Sequence, residues 1–163
     1  MLVEDGWPAA EVIETARLTL EPLLVDHAAE MTPLLDDNDL YTYIGGRPAT
    51  LDELRDRYRR QSVGRSAEGD QGWLNWVVRH RASGAAAGTV QALTRRGERL
   101  SADLAWMIAT GHQRQGYATG AAAGMVAWLR SHGGRQLAAD RHWGRSLSMP
   151  SRSRSSPTSN STA

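Results

Sequence analysis

The chain of 163 residues contains no cysteine, no lysine and no phenylalanine. Without cysteine it can form no disulfide, no thiolate metal site and no covalent intermediate on a Cys nucleophile. Without lysine its positive charge rests on arginine, and the net charge is only +1. That total gives no reason to expect nucleic acid or an anionic membrane as partner. No apolar run is long enough to span a bilayer. The first residues, with Glu4, Asp5 and Pro8, lack the basic and apolar parts of a secretion signal, so a cytoplasmic protein is expected. The missing phenylalanine is set against six tryptophans in a chain rich in Ala, Gly and Arg, which reads as GC-rich coding bias. Hydrophobic residues make up 40% and charged residues 23%, as in an ordinary globular domain with a sizeable core.

Alternation of polar and apolar residues from Arg17 to Glu21 predicts a half-buried strand closed by Pro22. Asp26 is an expected N-cap for a helix with Ala28, Met31 and Leu35 on its apolar face, and 36–39 form a polar turn. Thr50 followed by Glu53 spells a capping box, and the helix after it turns Leu51, Leu54, Tyr58 and Gln61 to one face. Its other face, with Arg55, Arg57, Arg59 and Arg60 among Asp52, Glu53 and Asp56, is a solvated one. Residues 73–79 and 86–93 predict a hairpin turning at Ser83-Gly84, and 100–108 an antiparallel third strand. A helix over 117–131 and a short strand at 136–139 complete the order β-α-α-β-β-β-α-β, a mixed α/β fold.

The most informative stretch joins the last two of these elements. The apolar run Trp106-Met107-Ile108-Ala109 enters the loop Gln113-Arg114-Gln115-Gly116-Tyr117-Ala118-Thr119, and a small-residue helix follows at once. Loop amides and the free N–H groups of a helix's first turn make a cradle for an anion such as a pyrophosphate. A plain strand-to-helix connection, with Gly116 supplying a positive φ, accounts for the same letters. The dinucleotide fingerprint and the Walker loop both fail to fit, and the antiparallel strand excludes a Rossmann unit.

Gln113, Gly116 and Ala118 match the Gln/Arg-x-x-Gly-x-Gly/Ala motif, and here the chain resembles the GNAT superfamily of N-acetyltransferases. The spelling around Gly116, the opening run from Thr15 to Leu23 and the hairpin are similar to the branch that includes ribosomal-protein N-terminal acetyltransferases. The likeness covers roughly residues 13–140. It implies a mostly antiparallel sheet flanked by helices, with acetyl-CoA as co-substrate. It places the pyrophosphate on Gln113, Arg114, Gln115, Gly116, Tyr117, Ala118 and Thr119, and the pantetheine arm beside Met107, Ile108 and Ala109. One of those three amides would polarise the thioester carbonyl. The acceptor would be a primary amine on a protein N-terminus, a peptide or a small molecule, attacked directly in a ternary complex.

Amide formation requires a neutral amine, so a proton must leave. In the family a carboxylate on the matching strand often takes it, and Asp103 stands there, either as that base or as a surface strand residue. Tyr43, Asn75 and Gln91 are the acceptor-binding candidates; Asn75 and Gln91 read equally as satisfied hairpin positions. Trp73, Trp76 and Trp106 read as core. His27, His80, His112, His132 and His142 have no ligand spacing, so no metal is expected.

After Asp140 the composition changes abruptly. Residues 141–163 are dominated by Ser and Arg, hold no acidic residue and show no periodicity. Residues 1–140 are therefore expected to form the folded domain and 141–163 a disordered or frame-altered tail. The tail stands where the family has a further helix and hairpin, and that helix usually supplies the acid that reprotonates the thiolate. A sheet edge left uncovered there admits a homodimer. Four arginines with a single aromatic, Trp143, among them make a poor nucleic-acid site, and none is expected. The alternative to an active acetyltransferase is a catalytically impaired CoA-binding module.

Overall fold

A computed structural model describes residues 7–41, 46–96, 100–132 and 134–139. Tyr43, Asp140 and the whole 141–163 segment lie outside the described residues. The elements are β1 (Ile13–Glu14), β2 (Leu18–Pro22), α1 (His27–Leu34), α2 (Leu51–Gln61), β3 (Gln71–His80), β4 (Ala86–Arg96), β5 (Leu100–Ile108), α3 (Tyr117–Ser131) and β6 (Gly134–Ala139). One six-stranded sheet runs in chain order from β1 to β6. The first five strands are antiparallel to their neighbours, and β6 joins β5 in parallel. The long crossover between those two strands is α3, as parallel pairing requires.

The element order expected from the sequence is present, with one addition. β1 is only two residues long and pairs Ile13 with Leu20. So short a strand leaves no periodicity to read. The capping box at α2 is formed: the Glu53 N–H donates to Thr50 Oγ1 and the Thr50 N–H to Glu53 Oε1, both at 3.2 Å. The expected cap at α1 is corrected. Asp26 makes no side-chain cap hydrogen bond and is itself in helical conformation. The Leu24 N–H donates instead to His27 Nδ1 at 2.9 Å.

The sheet separates two apolar layers. On one face Leu18, Leu20, Leu74, Trp76, Val90, Leu104 and Ile108 pack against Tyr117, Ala121, Met125 and Leu129 of α3. On the other, Val77, Ala86 and Met107 pack against α1 and α2 through Ala28, Met31, Leu54 and Tyr58. Period-two alternation in the strands and i, i+4 spacing in α3 produce this division. Trp76 is fully buried, and its indole N–H donates to the Glu11 carbonyl at 2.8 Å. Trp73 and Trp106 are only partly buried.

A charge network ties α1 to the sheet. The Arg79 guanidinium bridges Glu21 at 3.0 Å and Glu30 at 2.7 Å. Its hydrogen bonds hold both carboxyls below the usual range against the opposing effect of burial. The network therefore stabilises the fold at neutral pH. Its contribution fades as pH falls from about 5 down through the depressed native values. Replacing Arg79 by Met should cost about 1 kcal/mol at pH 7, kept small because the two carboxylates are 33% and 45% exposed. Urea denaturation at pH 7 and pH 4 checks this: the variant should lose less stability on acidification than the wild type.

Candidate functional site

Among the described residues β5 has partners on both sides from Leu100 to Leu104. β4 accompanies it to the end, with Gly88 opposite Ile108. The described part of β6, which ends at Ala139, lies beside Leu100 to Leu104. Among the described residues no strand lies beside 105–108 on that edge. The Ala109 N–H donates to the Ala87 carbonyl at 2.8 Å. Backbone polar groups alternate sides along a strand, so Met107 and Ala105 also turn theirs toward β4. Trp106 and Ile108 therefore turn theirs to the open edge. Of the three backbone positions expected from the sequence, Ile108 alone presents its N–H there. Gly88 helps to set this geometry, because a Cβ at that position would lie 2.0 Å from the Met107 carbonyl oxygen.

The loop that follows closes back onto this edge. The Gln113 side-chain amide donates to the Ile108 carbonyl at 2.9 Å. Arg114 has φ +62° and Gly116 φ +78°. Two left-handed residues flanking Gln115 turn successive N–H groups into a concavity, the backbone form of an anion nest. Gly116 immediately precedes α3 and has no side chain to cap it. The first-turn N–H groups of Tyr117, Ala118 and Thr119 are thus left for a ligand. The resulting cavity of about 350 Å³ is lined by Ile108, His112, Gln113, Arg114, Gly116, Tyr117, Ala118 and Thr119, with no carboxylate in its wall among the described residues.

Arg17, just before β2, braces the loop from outside. Its Nη2 donates to the Gln115 carbonyl at 2.8 Å, and its guanidinium sits 4.8 Å from the centre of the Tyr117 ring. The Tyr117 hydroxyl meets His80 Nε2 of β3. Neither contact follows from local pattern, since Arg17 and Gln115 are 98 positions apart. On the far side, Asp37 is held below the usual carboxylate range by the Thr110 side chain and the Asp39 N–H. The segment before α2 is thereby linked to the end of β5.

Asn75 and Gln91 stand opposite each other on β3 and β4, and Ala105 stands opposite Gln91 on β5. With Leu23, Tyr58, Gln61 and Met107 they enclose a cavity of about 10 Å³ under α2. Among the described residues, Asn75 Nδ2 and the Tyr58 hydroxyl are buried without a partner. Burial raises the Tyr58 hydroxyl above the ordinary phenol range. Tyr58 and Gln61 were legible only as members of the buried face of α2. Two polar groups on an otherwise apolar helix face were the available signal.

Asp103 is placed elsewhere. Its carboxylate is 44% exposed and ion-paired with Arg95. It lines neither cavity. It lies about 17 Å along the strand from Ile108, five residues at roughly 3.4 Å each. Among the described residues no group of three or more His, Asp or Glu is positioned to hold a metal ion, and no helix is long and apolar enough to cross a membrane.

A family model described as an acetyltransferase (GNAT) domain matches residues 17–148. The fold is similar to that of the acetyltransferase (GNAT family) from Bacillus anthracis, at 16% identity and TM-score 0.64 over 79% of this chain and 72% of that one. It is also similar to the acetyl transferase from Salmonella typhimurium that modifies the N-terminal serine of 50S ribosomal subunit protein L7/L12, at 14% identity and TM-score 0.66, covering 79% and 74%. A ribosomal L7/L12 alpha-N-protein acetyltransferase in complex with coenzyme A shares 13% identity with TM-score 0.66, covering 79% and 73%. No curated protein sequence is significantly similar to the chain.

Gly116 is the position on which the loop geometry turns. A Cβ there would sit 3.0 Å from Arg17 Nη2 on a backbone at φ +78°. Replacing Gly116 by Ala should cost about 1–2 kcal/mol. Thermal denaturation measures it, and an unchanged Tm would contradict the left-handed turn.

Proposed function

The chain belongs to the GNAT family of acetyltransferases, and on that premise we propose that it transfers the acetyl group of acetyl-CoA to a primary amine on a protein N-terminus, a peptide or a small molecule. The observation that carries this reading is the convergence of the Ile108 N–H, which faces away from β4, with an uncapped helix N-terminus and a nest at Arg114–Gly116. A coenzyme with an anionic pyrophosphate and an amide-bearing arm needs these two features side by side. The pyrophosphate would rest on the amides from Arg114 to Thr119, helped by the positive end of α3. Arg114 adds a charged donor at the rim. The arm would run along β5 as an added strand. Of Met107, Ile108 and Ala109, the Ile108 N–H is the donor available to the thioester carbonyl, where it would stabilise developing negative charge.

In the transfer the amine nitrogen bonds to the acetyl carbon, the C–S bond breaks, the nitrogen sheds a proton and the thiolate takes one up. An α-amine, with a pKa of about 7.7–8.0, is partly neutral at pH 7 and needs little base strength. That suits a site in which Asp103 is spent on an ion pair with Arg95. Asn75 and Gln91 face the acceptor side of β5 and would orient the amine; Tyr43 keeps its acceptor role only as a proposal. The ribosomal-protein acetyltransferases among the structural neighbours favour a protein N-terminus as acceptor. The remoteness of Asp103 also favours a second reading, a CoA-binding module without turnover.

Calorimetry with acetyl-CoA, followed by thiol release with a panel of peptide and small-molecule amines, separates the two. Binding with thiol release is the expected result. Binding without release on any amine supports the module, and no binding removes both. Replacing Asp103 by Asn should leave kcat within about threefold, because a true general base contributes roughly 10²–10⁴. A hundredfold loss would restore Asp103 as the base.

A further inference from the structure

Ala16 and Arg17 form the tip of the tight turn between β1 and β2. The Thr15 N–H donates to the Leu18 carbonyl at 2.8 Å, and the Leu18 N–H donates to Thr15 Oγ1 at 3.0 Å. Arg81, just after β3, clamps the tip. Its N–H donates to the Arg17 carbonyl at 2.9 Å, and its Nη1 donates to the Thr15 carbonyl at 2.8 Å. The turn sits close on α3, where a Cβ at Gly124 would lie 2.9 Å from Thr15 Cγ2. The backbone of Arg17 is therefore fixed, although the residue is exposed. Its guanidinium lies over the Tyr117 ring while donating to the Gln115 carbonyl. Tyr117 is held in turn by His80. A planar guanidinium stacked on a held ring has few other positions to sample.

A trans peptide directs its C=O and its N–H to opposite sides. Holding the Gln115 carbonyl outward therefore turns the Gly116 N–H inward. The cavity wall agrees: Gly116 lines it, and neither Gln115 nor Arg17 does. Arg17 lines a separate groove with Gly120 and Gly124. The ladder of α3 begins with the Gly120 N–H on the Gly116 carbonyl at 3.0 Å. Among the described residues Arg17 alone answers the Gln115 carbonyl. Without Arg17 that peptide could rotate, since glycine resists rotation least, and a carbonyl turned inward would repel an anion. We propose that Arg17 is a positioning residue for the coenzyme: it aims the Gly116 N–H at the pyrophosphate without touching the pyrophosphate itself. This role rests on the acetyltransferase reading. The pyrophosphate does not react, so Arg17 acts on coenzyme binding and not on the chemical step.

Residual dipolar couplings of the full chain without coenzyme give the direction of the Gly116 N–H. In the wild type they should fit a vector aimed into the cavity, and in Arg17→Met that coupling should be averaged or reoriented. Calorimetry with coenzyme A should then show the variant binding about tenfold more weakly, as for one lost hydrogen bond. In the thiol-release assay the KM for acetyl-CoA should rise in step, with kcat within about twofold. Arg17→Lys keeps the charge and one donor and should recover affinity to within about threefold of the wild type. Unchanged affinity in Arg17→Met overturns the proposal, and so does weakened binding with an unmoved Gly116 vector. A deficit that vanishes between about 0.05 and 0.5 M salt also overturns it, because the effect would then be through-space charge. A kcat loss as large as the affinity loss overturns a role confined to binding. A wild-type chain that binds no coenzyme A removes this role together with the acetyltransferase reading, while the couplings still decide whether Arg17 holds the peptide.

Discussion

The turn from the end of β5 into α3 is the constraint on which the rest depends, because it brings the Ile108 N–H, which faces away from β4, to the same mouth as the nest at Arg114–Gly116. Up to Leu104, β5 lies between β4 and the described part of β6. Beyond it, the strand keeps β4 but loses its other neighbour among the described residues. A backbone N–H that finds neither protein nor water costs roughly 1–3 kcal/mol, so an open edge in a cleft invites an extended ligand. The fold answers part of the demand itself, since the Gln113 side chain takes up the Ile108 carbonyl. Among the described residues, the Ile108 N–H and the backbone groups of Trp106 are what remain. The chain then turns through Arg114 and Gly116 and starts α3 at the same mouth. Strand edge, nest and helix dipole meet because one short connection links them.

The two faces of the sheet divide the labour. The α3 face is almost wholly apolar and supplies the rigid floor, with Trp76, Leu104 and Ile108 against Ala121, Met125 and Leu129. The opposite face is apolar toward α1 but turns polar beneath α2, where Asn75, Gln91, Tyr58 and Gln61 gather. A polar pocket inside a packed layer weakens the core unless it is hydrated or used. Its place beside Ala105 and Met107 puts it across β5 from the α3 layer that carries the nest. Arg17 joins the two ends of the chain's architecture, holding Gln115 from the strand that starts the main sheet.

What the sequence disclosed follows from interaction range. The Thr50–Glu53 capping box, the β3–β4 hairpin and the helix from Tyr117 are local, and each was legible within a few residues. The Gln-x-x-Gly-x-Ala loop was legible because helix initiation after a left-handed glycine has a short spelling. The brace from Arg17, the His80–Tyr117 contact and the pairing of Asp103 with Arg95 join residues from different parts of the fold, and no local pattern encodes them. The resemblance offered Asp103 either as a base or as a surface strand residue. Strand position determines which face a side chain takes, but not what occupies the neighbouring strand on that face. Tyr58 and Asn75 each looked like ordinary residues of their elements; only the packing of α2 on the sheet makes them neighbours of one cavity.

Amide hydrogen exchange read by NMR, with and without acetyl-CoA, tests the central claim most directly. If the open edge and the nest form one coenzyme site, the N–H groups of Ile108 and of Gly116 through Thr119 gain protection together on addition of acetyl-CoA. The Ala109 N–H, already bonded to Ala87, should change little. Saturable binding that leaves Ile108 and the first turn of α3 unprotected would contradict the account.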